Sequence, residues 1–307
     1  MKFDKAYALE PFCALFGFDF FGDKEHLVLG INEIHMVENG DIVFVDHPKY
    51  YEKALSSAAT TIIIDKKVDC PKGKALIIHD KPFDAFNTIT RHFMPQRNVN
   101  DLPSQTVEVS AQIHANVQLG NNVRIGKNSI LYSGVVIMDN VTIEDNVIIG
   151  ANSVIGHNAF YYKKKIEGYD RLHTCGRVLI ESGVEIGALC CIDAGVTGMT
   201  KIGRGTKIDN LVQIGHDTQI GEHCLVAAGV GIAGCVRIAS HVTFWGQVGC
   251  ASDVSIGEGV TVLAQSGISK DLESGKTYFG SPCGEVKEKF KEMAALRMLP
   301  EFIKGKK

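Results

Sequence analysis

An apolar residue recurs at every sixth position over more than half of this 307-residue chain. A first run extends from Val107 to Ile155, and a second begins at Ile180, slips by four residues at 198–201 and continues to Ile268. A period of six fits neither an α-helix nor an alternating strand, whereas hexapeptide repeats are typical of parallel β-helices. The pattern therefore predicts a mainly β chain whose short strands stack into coils, with the apolar residues pointing inward.

Glycine, asparagine and aspartate residues between the apolar positions are predicted to form the corners of the coils. A tight corner demands a positive φ, which these residue types adopt most easily. Positive φ is expected on this ground at Gly120, Asn121, Asn122, Gly126, Asp139, Asn140, Gly221 and Gly257. If three repeats close one triangular coil, residues eighteen apart lie one above the other, ~4.8 Å apart.

Residues 1–105 lack the repeat and are predicted to form a small α/β domain. Apolar runs bounded by polar, Pro and Gly segments favour strands, and the longer mixed segments between them favour helices. The predicted elements are strand 42–45, helix 48–57, strand 61–64, strand 75–78 and helix 81–93. A polar stretch at 98–104 is the expected boundary.

The repeat domain is then expected to cover 106–272, interrupted by an inserted loop at 160–177. The loop is aromatic and basic, which fits either a surface excursion or the wall of a cleft. Residues 273–307 form a tail whose segment 285–299 has helical spacing and is expected to end at Pro300. Such a short amphipathic helix must bury its apolar stripe against the coils or a neighbouring chain.

Composition excludes several classes of protein. A formal net charge of -3 gives a nucleic-acid partner little support. No apolar run approaches the length of a transmembrane helix and no signal-peptide layout is present, so a cytoplasmic protein is expected. The nine cysteines contain no CxxC pair, and Cys190, Cys224 and Cys250 fall on interior positions of the repeat. They are interpreted as core residues, and no metal site is predicted.

His216 is the candidate catalytic residue, because it lies just past an inward-facing position with Asp217 beside it. A histidine base contributes ~10² to 10⁴ in rate, and Asp217 would fix its tautomer. Gly234 lies eighteen residues on, where its backbone N–H could donate to an oxyanion. Spacing alone leaves open the alternative of a surface histidine at a turn. A filled coil interior has no pocket, so sites are expected on outer faces or between chains, most readily in a ring of three.

Long stretches of the chain resemble the UDP-3-O-acylglucosamine N-acyltransferase family. The stretches in the repeat domain are 176–178, 186–187, 192–193, 207–216, 230–234, 246–249 and 264–267. In the N-terminal domain, FVDHPKY at 44–50 is similar to the family's uridine-binding pattern F-x-x-N-P-K-Y, with His47 in place of the asparagine. In the tail, 278–282 also matches, so the resemblance covers nearly the whole chain.

The resemblance implies a homotrimeric left-handed β-helix enzyme of lipid A synthesis in the cytoplasm of a Gram-negative bacterium, near the inner membrane. It transfers a 3-hydroxyacyl chain to the 2-amine of UDP-3-O-acylglucosamine. The acyl chain arrives on the phosphopantetheine arm of acyl carrier protein, a co-substrate, and no bound cofactor is implied. The implied catalytic residues are His216 as base, Asp217 and the Gly234 amide. The implied substrate-binding residues are Phe44 and Tyr50 around the uracil, with His47, Lys49, Asn210, Gln213 and Asp253.

Two positions depart from the family pattern. Asp253 stands where the family carries a second active-site histidine, and a carboxylate cannot donate a hydrogen bond unless protonated. Ala194 stands where the family favours an arginine after the aspartate. The first departure leaves open an altered rate or substrate.

Three other functions stay open at this point. The sister UDP-N-acetylglucosamine O-acyltransferase shares the histidine and glycine, but it lacks an N-terminal domain of about a hundred residues. A zinc-dependent enzyme like the γ-type carbonic anhydrases would use histidines such as His223 and His241, which are expected to stack. A β-helix scaffold without activity is the third. Basic residues of the tail helix could dock the acidic carrier, although glutamates alternate with them.

Overall fold

The computed structural model describes residues 1–95 and 104–304. The described residues group into two compact units. The first contains the N-terminal residues through 95 together with Tyr161–Gly176 and Gly195–Gly198, and the second contains the rest. The boundary predicted at 98–104 lies outside the described residues apart from Ser104.

The first unit is built on a six-stranded sheet whose four central strands run parallel. In spatial order the strands are Lys2–Ala8, Leu27–Ile31, Asp41–Val45, Thr61–Ile64, Ala75–Ile78 and Asp19–Phe21. Its helices are α1 (Leu9–Phe16), a 3-10 turn (Pro48–Tyr50), α2 (Tyr51–Leu55) and α3 (Pro82–Phe93). The predicted strands are central ones, buried on both faces and therefore continuously apolar. Three strands were not predicted. Lys2–Ala8 and Asp19–Phe21 are largely exposed at the two edges, and Leu27–Ile31 lies next to an edge with alternating exposed and buried residues.

The inserted segment forms a hairpin of strands Tyr162–Lys165 and Gly168–Arg171, and it belongs to the first unit. Ion pairs fix the hairpin there: Lys165 Nζ lies 2.7 Å from Asp84 Oδ1, and Lys163 pairs with Asp46. The Arg171 carbonyl accepts a hydrogen bond of 3.0 Å from the Asn87 side chain. Residues Tyr161–Gly176 of the predicted loop therefore pack as part of the α/β unit.

The second unit is a parallel β-helix, as the repeat predicts. Its first face consists of Gln105–Val107, Val123–Ile125, Val141–Ile143, Arg177–Ile180, Met199–Ile202, Gln219–Ile220, Arg237–Ile238 and Ser255–Ile256. Its second face consists of Gln112–Ile113, Ile130–Leu131, Ile148–Ile149, Glu185–Ile186, Lys207–Ile208, Leu225–Val226, Thr243–Phe244, Thr261–Val262, Thr277–Phe279 and Gly284–Glu285. Its third face consists of Gln118–Leu119, Val136–Ile137, Val154–His157, Cys191–Asp193, Gln213–Ile214, Gly231–Ile232, Gly249–Cys250 and Gly267–Ile268. Residues eighteen apart pair directly, as Ile214 does with Ile232.

The corners differ in part from the prediction. Asn122 and Asn140 have positive φ, but Gly126 and Gly221 do not. A Cβ on Gly126 would lie 2.5 Å from Asp145 Oδ1 of the next coil, so the close approach of that coil requires the glycine. The same reason holds at Gly120 and Gly257, and the positive φ predicted at Gly120, Asn121, Asp139 and Gly257 is likewise wrong. Positive φ occurs at other corner residues, such as Leu189, Leu211, Asp217, Cys235 and Asp253.

The position four residues after the main apolar one carries small buried side chains. Cys190 and Cys224 occupy it, and Cys250 lies on the main apolar position, as predicted. Burial raises the pKa of the Cys190 and Cys224 thiols and raises the pKa of Cys250 to about 12, so these thiols stay protonated and inert. At other coils a hydroxyl takes this place, as Thr206 and Thr218 do, and bridges two backbone groups.

The tail helix α4 (Val286–Lys304) continues through Pro300, so the predicted end of the helix at Pro300 is wrong. A proline removes one backbone hydrogen bond, here to the carbonyl of Leu296. Leu296 is 65% exposed, so water can satisfy that carbonyl. No residue of α4 is buried. The predicted apolar stripe is largely exposed in the single chain, at Phe290 and Leu296 for example, although the Phe290 ring lies 5.9 Å from that of Phe279. No helix within the described ranges has the length and apolarity needed to cross a membrane.

Candidate active site

His216 lies at the corner that follows strand Gln213–Ile214, and its imidazole is nearly buried. Its Nδ1 is 3.0 Å from Oδ2 of Asp217, whose side chain has no exposed surface. The Asp217 N–H donates to Thr200 Oγ1 at 2.9 Å, which holds the corner in place. Because a carboxylate only accepts, this contact places the ring proton on Nδ1 and leaves Nε2 as the basic nitrogen.

Gly234 lies against the imidazole on the next coil. A Cβ at Gly234 would stand 2.5 Å from His216 Nε2, so the ring covers the glycine Cα. The two coils are joined beside this contact by a 2.8 Å bond from the Cys235 N–H to the His216 carbonyl. Within the described part of the chain the Gly234 N–H makes no backbone hydrogen bond, so it is available as a donor next to His216. The stacking expected from the eighteen-residue spacing is present.

Cys235 lies next to His216, and this neighbour was not predicted from the sequence. Its Sγ lies 4.0 Å from His216 Nδ1. The same corner of three successive coils is occupied by residues with positive φ that are eighteen apart: Asp217, Cys235 and Asp253. The spacing alone could have placed Cys235 above Asp217.

Asp193 forms a second polar cluster on the third face, one coil before His216. The Gln213 amide donates to Asp193 Oδ2 at 3.1 Å, and His157 Nδ1 lies 3.9 Å from Asp193 Oδ1. Asp193 is 5% exposed. Burial raises the pKa of its carboxyl, while His157, Gln213 and His216 act in the opposite direction. Gln213, predicted to bind substrate, therefore contacts a buried acid, and sequence analysis gave that acid no role.

Asn210 and Asp253, both predicted to bind substrate, have different surroundings. The Asn210 side chain is engaged in the corner, because its Oδ1 accepts the Ala188 N–H at 2.7 Å. Asp253 is exposed two coils beyond His216, and its N–H donates to the Gly234 carbonyl at 3.3 Å. Asp253 thus shares the corner of the catalytic candidates, whereas Asn210 braces the fold.

The predicted uridine-binding residues lie in the first unit. His47 Nδ1 accepts the Lys49 N–H at 3.2 Å and caps the 3-10 turn, so His47 performs the capping that an asparagine would provide. Lys49 Nζ lies 5.4 Å from the ring centroid of Tyr50, which is 51% exposed. Phe44 packs on Phe86 with centroids 4.9 Å apart. The structure brings His47, Lys49 and Tyr50 together and gives Phe44 aromatic neighbours in the core.

His223 and His241 stack as expected, with ring centroids 5.5 Å apart and planes inclined by 17°. Both lie at the corner before the second face, whereas His216 lies at the corner after the third. The stacked pair and the His216 dyad are therefore separate features of the β-helix.

Comparisons with known proteins cover both units. The family model for UDP-3-O-(3-hydroxymyristoyl) glucosamine N-acyltransferase matches residues 25–92, and the bacterial transferase hexapeptide model matches 123–157 and 199–234. The UDP-3-O-acylglucosamine N-acyltransferase of Syntrophotalea carbinolica is 41% identical over 96% of this chain and 94% of its own length. The same-named protein of an Anaeromyxobacter species is 50% identical over 47% of this chain and 42% of its own.

A solved structure is also similar to this chain. The UDP-N-acetylglucosamine acyltransferase of Francisella novicida is 28% identical, covers 62% of this chain and 71% of its own, and has a TM-score of 0.52. That likeness spans less of the chain than the Syntrophotalea relative, which matches along nearly the full length of both proteins. The N-terminal match and the full-length identity together show that this chain is a member of the UDP-3-O-acylglucosamine N-acyltransferase family, the N-acyltransferases of lipid A biosynthesis.

Proposed function

We propose that the protein transfers a 3-hydroxyacyl chain from acyl carrier protein to the 2-amine of UDP-3-O-acylglucosamine. The observation that carries this proposal is the arrangement of His216, Asp217 and Gly234 in a chain whose family consists of N-acyltransferases. An amide-forming transfer from a thioester needs a base for the amine, a donor for the oxyanion and a proton for the leaving thiolate. The corner offers all three.

His216 acts as the base in this proposal. Its Nε2 takes a proton as the amine attacks the thioester carbonyl, and Asp217 stabilises the imidazolium through Nδ1. The Gly234 N–H donates to the developing oxyanion, a contribution of ~10² to 10³ in rate. When the C–S bond breaks, His216 returns the proton to the thiolate of the carrier's phosphopantetheine arm.

The nucleotide is proposed to bind at the 44–50 segment of the first unit. The exposed Tyr50 ring offers a stacking surface worth ~1 to 3 kcal/mol for a flat base. Lys49 lies over the same ring as a cation for the diphosphate. Phe44, predicted to sandwich the uracil, supports it from the core side, and Asp253 is proposed to face the sugar or acyl part of the substrate.

We also propose a homotrimer in the cytoplasm, with each active site beside a chain boundary. The exposed apolar residues of α4 support an assembly that covers them. The basic residues of α4 give weaker support for docking of the acyl carrier protein, because two of them are already paired within the helix. Lys289 lies 2.8 Å from Glu292, and Lys291 lies 2.7 Å from Glu288.

Acceptor choice tests the proposal. Purified protein is given 3-hydroxyacyl carrier protein with either UDP-3-O-acylglucosamine or UDP-N-acetylglucosamine, and the products are identified by mass spectrometry. An amide formed on the first acceptor is the expected result. An ester formed only on the second would assign the protein to the O-acyltransferase reaction instead.

A further inference from the structure

Asp193 is a buried carboxylate that the proposed mechanism does not use. It ends strand Cys191–Asp193, which pairs in parallel with Gln213–Ile214, the strand leading to His216. Neighbouring strands lie ~4.8 Å apart, so Asp193 is held one coil from the catalytic corner. Its exposed fraction is 5%, and a carboxylate so removed from water needs hydrogen-bond donors or a cation.

Of the two carboxylate oxygens of Asp193, Oδ1 has only long contacts with hydrogen-bond donors. Oδ2 accepts the Gln213 amide at 3.1 Å. Around Oδ1, the contacts within the described residues are long: His157 Nδ1 and Cys191 Sγ each lie 3.9 Å away. His157 Nδ1 is itself 3.2 Å from the Asn158 carbonyl. Oδ1 therefore has capacity to accept a hydrogen bond from a ligand.

The chemistry of the two possible nucleophiles differs in the number of protons they carry. A neutral amine has two N–H groups, so it can give one proton to His216 while the other stays bonded to a carboxylate. A hydroxyl has one proton, which cannot serve both partners, and its lone pairs would face the carboxylate oxygen. A buried acceptor beside the base therefore favours nitrogen over oxygen as nucleophile.

Resting on the function proposed above, we propose that Asp193 accepts one N–H of the acceptor's 2-amino group and so selects an amine over a hydroxyl acceptor. The bonded N–H remains in the product amide. The second amine proton passes to His216 Nε2 as the N–C bond forms, and from there to the thiolate as the C–S bond breaks. The reaction balances as amine plus thioester giving amide plus thiol.

Gln213 makes the test sharp, because it fixes how an amide at position 193 would be oriented. In Asp193→Asn the side-chain oxygen stays toward the Gln213 amide, so the NH₂ group turns to the substrate. A donor in that place repels an amine N–H and favours a hydroxyl oxygen. The selectivity of the site is then expected to move toward oxygen without a change in side-chain size.

The experiment compares two acceptors that differ only at C2 of the sugar: UDP-3-O-acylglucosamine and the matching UDP-3-O-acylglucose. The ratio of kcat/KM for amine over hydroxyl is measured in full-length wild type and in Asp193→Asn. We expect the ratio to fall roughly 10- to 100-fold, the effect of one hydrogen bond to a charged group. A misfolded fraction would lower both rates equally and leave the ratio unchanged, so the readout does not depend on how well the variant folds.

Glu181→Gln is the matched control. Glu181 is a partly buried carboxylate that directly follows strand Arg177–Ile180, pairs with Lys201 and accepts the Arg204 N–H at 3.0 Å. The same change of acid to amide there is expected to leave the ratio unaltered. An unchanged ratio in Asp193→Asn, with wild type active on the amine, would overturn the role of Asp193 alone. Wild type inactive on the amine would overturn the proposed function and this inference with it.

Discussion

His216 occupies the space in which a side chain at Gly234 would stand. Steric contact therefore explains the glycine, and no special φ is needed there, because Gly234 is not among the left-handed residues. Asp217 contacts the imidazole at Nδ1, and the ring fills the space beside Gly234, where a Cβ would lie 2.5 to 2.8 Å from Nε2 and its two neighbouring carbons. Catalysis by such a group depends on its position to within about an ångström.

Gly234→Ala is expected to lower kcat/KM by about 100-fold, because the new methyl group displaces the His216 imidazole by about an ångström. Gly231→Ala is the control, since nothing lies within 4 Å of a Cβ there. Steady-state kinetics of both variants measure kcat/KM, and thermal unfolding measures their stability. Equal activity in the two variants would show that the contact does not matter for the rate.

His173 makes the stability of the first unit sensitive to acid. Burial lowers the pKa of its imidazole, Arg91 lowers it further, and a 2.7 Å contact with the Met94 carbonyl raises it in part. Above the ordinary value of 6.5 both folded and unfolded states are neutral. As pH falls below that value the unfolded state binds the proton first, so stability is lost until the lower folded pKa is passed.

His173→Gln keeps a donor for the Met94 carbonyl and removes the titration. The free energy of unfolding from denaturant titration is expected to fall less between pH 7.5 and about 5.5 in the variant than in wild type. The same loss in both proteins would mean that His173 binds its proton equally well in both states.

The eighteen-residue spacing predicted some contacts of the site and not others, for a physical reason. His216 and Gly234 are eighteen apart with no insertion between them, so one coil of regular repeat places them in contact. Asp193 and Gln213 are 20 residues apart, across the irregular coil near 198–201, and the inserted hairpin separates His157 from Asp193. Their contacts depend on the path of the inserted residues out of the coil and back, and the six-residue repeat does not predict that path.

At the scale of the repeat, the coils are joined by more than apolar stacking and strand pairing. Thr206 has no exposed surface. Its Oγ1 donates to the Gly221 carbonyl at 2.9 Å and accepts the Cys224 N–H at 3.1 Å, so one hydroxyl satisfies two backbone groups at a corner of the next coil. The sequence carries small or β-branched residues at this position of the repeat, but it does not indicate that a hydroxyl there would be bonded.

Thr206→Val keeps the shape and leaves both backbone groups unsatisfied, which is expected to cost about 2 kcal/mol of unfolding free energy. Thr88→Val is the matched control on the exposed surface of α3, where Thr88 Oγ1 bonds only a carbonyl of its own helix at 2.9 Å. Denaturant unfolding of the two variants distinguishes the positions. A loss at Thr206 no larger than the loss at Thr88 would contradict the role of the hydroxyl bridge.

At the scale of the whole molecule, the six-residue repeat predicted the β-helix, and the N-terminal domain favoured the N-acyltransferase family over the O-acyltransferase family. Neither could locate the inserted hairpin, which groups with the α/β unit through Lys163, Lys165 and Asn87. The tail helix was predicted by its spacing, but most of its apolar stripe is exposed in the single chain. A stripe of this kind is expected to pack in an assembly, because exposed apolar surface of that extent is unfavourable in water.

The central claim is that His216 is the base of an amine acylation carried out by this chain. Its most direct test is kcat for acylation of UDP-3-O-acylglucosamine by wild type and His216→Ala, with the sedimentation coefficient of each protein measured alongside. We expect kcat to fall by ~10² to 10⁴ while the assembly is unchanged. Full activity in His216→Ala, or a wild type that binds the acceptor and never acylates it, would contradict the account.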